Sequence, residues 1–149
     1  MSVPVEADFA LIKIGDGATP TEIFSTLCGM RQVGINRTVS TSDRLVRDCA
    51  KPNKVASRKV RVAGRQIDLT GSGLTNKSDI AVFDAALGKA KNYKVELYID
   101  DGTDTGALMG TFAAAFVMTA ANLSLQEGGD ASSEITLASH GDWTWTAAA

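Results

Sequence analysis

The chain is 149 residues long, with 44% apolar residues, 21% charged residues and a formal net charge of −2. This is one domain's worth of protein, enough to bury its own core, and it holds no apolar run long enough to cross a bilayer as a helix. One histidine and two cysteines, Cys28 and Cys49, supply neither the ligand spacing of a metal site nor a disulfide framework.

The first segment, "MSVPVEADFALIKIG", has no positive n-region and no uninterrupted apolar stretch, so it does not read as a signal peptide, and synthesis in the cytosol is expected. Strands are expected at "ADFALIKIG", "TEIFSTLCG" and "RQVGINRTVSTS". Cys28 follows "IFSTL" and reads as a small buried hydrophobe, whereas Cys49 lies in a charged segment. Two free thiols are expected, with an intersubunit disulfide as the alternative.

From about residue 43 to 58 the periodicity fails. "DRLVRDCAKPNKVAS" shows neither the strand nor the helix period and reads as one long basic loop. It sits in a lopsided charge distribution. Ten of the 15 basic residues fall between Arg31 and Arg65, opposed only by Asp43 and Asp48, so this window carries +8 and the rest of the chain −10. Such polarity suits a nucleic-acid binder or a subunit whose basic part docks on the acidic part of a neighbour. The window contains no Phe, Tyr or Trp to stack on single-stranded bases, and no recognition-helix pattern to read a duplex.

"RKVRVAGRQIDLTGSG" alternates as a strand but changes phase near Gly64, from Val60 and Val62 to Ile67 and Leu69. Its closing "GSG", Gly71 to Gly73, reads as a flexible loop. A helix is expected over about 77–90: Asn76 caps it, Asp79 lies in its first turn, Lys89 and Lys91 in its last, and Asn92 stops it. Ile80, Phe83, Leu87 and Ala90 form its apolar stripe. A short helix of this kind is marginal alone and must lie across something apolar.

"YKVELYI" is the cleanest strand, with Tyr93, Val95, Leu97 and Ile99 on one face. "DDGTDTGA" follows. Asp100, Asp101 and Asp104 miss the spacing of a calcium loop, and "DTGA" copies the aspartic-protease motif without its preceding apolar strand; both give way to a turn. In "GTFAAAFVMTAANLSLQ" the apolar phase slips near Thr119–Ala120, implying a bulge. "SEITLASHG" and "DWTWTA" complete the strands. His140 has Ser139 as its immediate neighbour, which points to the opposite face, so no Ser-His-Asp set forms. Long strands that bend, with one helix, indicate a mainly β protein: a β-sandwich or partial barrel with one flanking α-helix. No catalytic, cofactor-binding or metal site emerges.

The order of these features resembles the major tail protein, or tail tube protein, of long-tailed bacteriophages and gene transfer agents. The residues that carry the resemblance are "GSGLTNKSDIAVFDAAL", where a strand enters the single helix through a Gly-rich turn, and the ending "SSEITLASHGDWTWTA". The resemblance spans nearly the whole chain as a single domain. It implies a fold shared with the tube component of type VI secretion, and six copies forming a ring. Rings then stack into a tube through which DNA leaves the capsid, without sticking to an acidic or neutral lumen. It implies no enzyme activity, no cofactor, no membrane contact, and a virion tail built from subunits made in the host bacterial cytoplasm. Further partners would be tape measure, tail terminator and distal tail proteins. The basic loop corresponds to the family's long loop that reaches the next ring, which makes Arg44, Arg47, Lys51, Lys54 and Arg58 inter-ring contacts. Ile80, Phe83 and Leu87 would pack the helix on the sheet. Two other readings stay open: a β-barrel binding a small ligand between Phe112, Phe116 and Trp143, and a small dimeric protease using Asp104.

Overall fold

The structure is a computed structural model that describes residues 9–27 and 29–148. It contains seven strands, β1 (Phe9–Gly15), β2 (Phe24–Thr26), β3 (Met30–Val46), β4 (Ser57–Leu74), β5 (Ala90–Ile99), β6 (Ala107–Ser124) and β7 (Ser132–Ala147), and one helix, α1 (Lys77–Ala86). All seven strands belong to one antiparallel sheet in the order β2-β1-β5-β6-β7-β4-β3.

That sheet curls over on itself. Ile12 of β1 comes against Gly71 of β4, although three other strands separate them in the sheet order. On either side of this closure a backbone hydrogen bond extends a ladder: Leu27 N–H donates to the Ile12 carbonyl at 2.8 Å beyond the β1–β2 pairing, and Leu74 N–H to the Gly29 carbonyl at 3.0 Å beyond the β3–β4 pairing. The alternation of each strand sends one face inward. Ile12 and Ile14, Tyr93 and Val95, Phe112, Phe116 and Met118, Ile135 and Leu137, Ile67 and Leu69 fill a single core. Tyr93 meets Phe116 edge-on, with ring centres 5.9 Å apart. The interior is therefore packed with side chains, and the expected partial barrel with one helix is what the chain forms.

Both anticipated phase slips are bulges. Pairing of β6 with β7 shifts between Met118 and Ala120, and pairing of β3 with β4 shifts between Ser40 and Thr41, opposite Gly64 and Val62. The "GSG" segment differs from expectation. Its glycines lie inside β4, where a Cβ on Gly71 would stand 3.0 Å from Ile12 and one on Gly73 would collide with the Gly29 carbonyl. Their role is close approach of neighbouring chain, not loop flexibility.

The helix is shorter than expected and rotated. It ends at Ala86, with Leu87 as C-cap and Gly88 in the left-handed conformation (φ 77°). Gly88 N–H donates to the Met118 carbonyl at 2.9 Å, so the chain is captured by β6 immediately after the last turn. The effective stop is this glycine, not Asn92. Phe83 is buried as expected, together with Asp79 and Ala86, but Ile80 and Leu87 are exposed. The inward stripe is Asp79–Phe83–Ala86, one position off the apolar one. Asn76 occupies the N-cap in extended conformation without a side-chain cap hydrogen bond.

Candidate functional site

The basic window folds as an arm. β3 and β4 pair continuously from Met30↔Gly73 out to Val46↔Ser57, but β4 pairs with β7 only over Asp68–Leu74. Beyond that point the two strands project without a third among the described residues, and nearly every residue from 39 to 66 is exposed. The irregular chain expected over 43–58 is correspondingly shorter. Asp43–Val46 and Ser57–Arg58 are strand, and only residues 47–56 form the tip. The tip is shaped by turns: Ala50 N–H donates to Asp48 Oδ1 at 3.0 Å, Lys51 N–H to the Asp48 carbonyl and Lys54 N–H to the Lys51 carbonyl. Period-two alternation in a sequence reports burial of one face. The arm buries neither face, so the outer half of β3, Asp43–Val46, carries no such pattern, and only Val60 and Val62 of β4 keep it.

Register decides which residues share a side of the arm, since directly paired residues point the same way. On one side lie Thr41 with Val62, Asp43 with Val60, and Leu45 with Arg58; on the other lie Ser42 with Arg61 and Arg44 with Lys59. The arm is thus two-faced. One face carries exposed aliphatic side chains and a single ion pair, Arg58 to Asp43 at 3.7 Å. The opposite face carries Arg44, Lys59 and Arg61, none of them ion-paired among the described residues. Of the expected contact residues, Arg44 and Arg58 therefore fall on opposite faces, while Arg47, Lys51 and Lys54 occupy the tip.

The base of the arm is fixed by contacts that the sequence gives no pattern for. The Arg65 guanidinium lies 4.2 Å from the centre of the Trp143 ring and 2.7 Å from Asp142 Oδ1. Arg37 sits 5.5 Å over Phe112, whose ring lies 4.6 Å from that of Trp145. Such cation–aromatic contacts hold the arm's direction against the body. They also occupy Phe112 and Trp143, while Phe116 is buried against Tyr93, so the three aromatics proposed as walls of a ligand cavity are packing residues.

On the outer face of the sheet, Tyr98 O–H donates to Glu96 Oε2 at 2.5 Å and Lys13 Nζ lies 3.1 Å from Glu96 Oε1. Hydrogen bonding to Glu96, then burial and the Glu96 charge, push the Tyr98 hydroxyl up to about 12. Burial raises the Glu96 carboxyl, but hydrogen bonds from Tyr98 and Lys13 and the charges of Lys13 and Lys94 outweigh it, leaving its pKa below 4.5. Burial raises Asp79, whose Oδ2 has no hydrogen-bond partner among the described residues.

The remaining residues singled out for chemistry stay apart. Asp100, Asp101 and Asp104 lie on the exposed β5–β6 connection, where Asp101 accepts from the Thr103 N–H and hydroxyl. His140 is exposed in β7, between Ser139 and Trp143, where pairing with β6 is irregular. Among the described residues no group of three or more His, Cys, Asp and Glu is placed to hold a metal ion. Cys49 is an exposed free thiol at the arm tip; Cys28 lies outside the described residues.

Compared by sequence, the chain matches no protein-family pattern and no curated protein. Solved structures do match. A chain from the tail of an empty gene transfer agent particle with C6 symmetry superposes with a TM-score of 0.63 at 22% identity, covering 92% of this chain and 95% of that one. A chain of the sheath–tube complex of an extracellular contractile injection system gives 0.62 at 15% identity, covering 97% and 93%. The SPP1 tail tube gives 0.60 at 11% identity, covering 97% and 80%. Across nearly its full length, the chain has the fold of tail tube proteins.

Proposed function

We propose that this chain is the building block of a tail tube: six copies form a ring, and rings stack into a conduit for DNA leaving a virion. The observation that carries the reading is the arm. A compact body would need no two-stranded extension whose side chains are solvated from about residue 39 to 66; a repeating assembly uses one to reach the next layer. The charge distribution supports this, because a +8 window on a −10 remainder is complementary to another copy of itself. Contacts between unlike surfaces close into rings or run on as filaments. Arg44, Arg47, Lys51, Lys54 and Arg58 then contribute to contacts between rings.

The role is structural and involves no turnover. The tube would end on a terminator at one side and a distal tail component at the other, around a tape measure protein, with DNA passing unbound. The test is negative-stain microscopy and sedimentation of the purified protein. Rings and long tubes of uniform width are expected; a protein that stays monomeric or dimeric at every concentration overturns the proposal.

A further inference from the structure

At both ends of the sheet, the face that lines the core runs on beyond the body. On the arm, the side that places Ile35 and Leu69 inward continues outward as Val39, Leu45, Val60 and Val62, all exposed, Leu45 by 74%. At the far end of β6, the side that carries Ala121 opposite the buried Ile135 continues as Leu123 and then Leu125, which is 78% exposed. Two separate aliphatic surfaces are left without cover.

The antiparallel register places them at opposite poles. β4 starts with Ser57 at the arm tip and ends with Leu74, which pairs with Ser132 beside the β6–β7 turn. At about 3.3 Å per residue this strand spans roughly 55 Å, so the arm cannot fold back onto the far end of its own chain. At that far end Leu74, Asn122, Leu123, Ser132 and Glu134, with Arg31, line a groove of about 420 Å³. Residues 122–134 include Glu127, Asp130 and Glu134 and no Lys or Arg.

We infer that this groove is the acceptor for the arm of a second copy: the strip Leu45–Val60–Val62 seats against Leu74 and Leu123, and the tip cations Arg47, Lys51 and Lys54 come to the acids of the β6–β7 turn. Apolar strip matches apolar groove, and basic tip matches acidic turn. Leu123, paired with the buried Ser133, lies on the core face and Leu74, paired with Ser132, on the other, so the groove draws on both faces of the sheet end. Arg31 is the one cation in the groove, and the three carboxylates outnumber it. The inference rests on the tube reading and adds two points to it. The acceptor surface is named, and the aliphatic strip, not the cations alone, holds the junction.

Two variants test it in opposite ways. Leu123→Arg charges the groove and leaves the arm intact; Val62→Asp breaks the strip and leaves the groove intact. Each alone should melt like the unaltered protein by circular dichroism and lose tube formation in sedimentation. Mixed one to one, each variant retains one working pole, so the mixture should form assemblies two layers deep and no longer. Asn122→Arg, an exposed groove position, repeats the test if Leu123→Arg alters the melt. Tubes from either groove variant alone overturn the acceptor assignment and leave the tube reading standing, as does a mixture that forms no junction. Failure of the unaltered protein to form tubes overturns both.

Discussion

Arg44 and Lys59 stand directly opposite each other on the arm, two cations in register with no acid paired to either among the described residues. Like charges in opposed positions destabilise a β-ribbon. The pair is therefore better placed in an assembly that brings anions to it than in a free subunit.

Reversing the charges of Arg44, Arg47, Lys51 and Lys54 together should abolish tube growth while leaving the subunit folded. Each exposed ion pair contributes only about 0–1 kcal/mol, so the effect accumulates by repetition around a ring. Raised salt should weaken assembly of the unaltered protein in the same direction. Sedimentation and circular dichroism on one sample check both points; full-length tubes from the fourfold variant would sink the idea, as would a variant that fails to fold.

Phe83 is the helix residue that anchors α1, being 4% exposed within the core cluster. Phe83→Ala should cost about 3–5 kcal/mol, whereas Ile80→Ala, at an exposed position of the same helix, should cost less than about 1 kcal/mol. Equal losses in denaturant melts would show that the inward stripe is misassigned.

Glu96 should shape the acid limb of the stability profile. Its folded pKa lies below the unfolded 4.5, so its contribution is complete above that value and is lost as pH falls through the folded one. Glu96→Gln should flatten the melting-temperature profile on the acid side. Tyr98 gives the alkaline counterpart: its stabilisation is present below the unfolded 10.0 and lost as pH rises through about 12. Unchanged profiles in Glu96→Gln and Tyr98→Phe would remove the Lys13–Glu96–Tyr98 cluster from the account.

Asp104 occupies an exposed turn position where asparagine serves as well. Asp104→Asn should leave stability within about 0.5 kcal/mol and assembly unchanged. Peptide cleavage by the unaltered protein that vanishes in this variant would replace the structural reading with a hydrolytic one.

Much of the sheet is legible in the sequence wherever one face of a strand is buried. Tyr93 to Ile99 alternates because Tyr93 and Val95 enter the core, and the slip near Thr119 shows because a bulge reverses which residues face inward. The arm is legible only in part: the sequence predicts strands up to Ser42 and from Arg58, but Asp43–Val46, solvated on both faces, has no reason to alternate. The helix is half legible. Its existence follows from Ile80, Phe83 and Leu87, but its rotation depends on Met118 capturing Gly88, a contact made outside the helix. Gly88 itself was the available signal for the stop. The clamp of Arg65 on Trp143 joins residues 78 positions apart and leaves no local trace.

Among the described residues β3 also forms an outer edge of the sheet, paired only with β4 from Met30 to Val46. An open edge of that length is a template for misdirected strand pairing and aggregation. The chain blunts it with Arg31, Arg37 and Arg44 and with register breaks after Met30 and Ser40. Positive charge on this strand thus has a second consequence: it excludes associations, keeping identical free subunits from adding edge to edge while they are concentrated and unassembled.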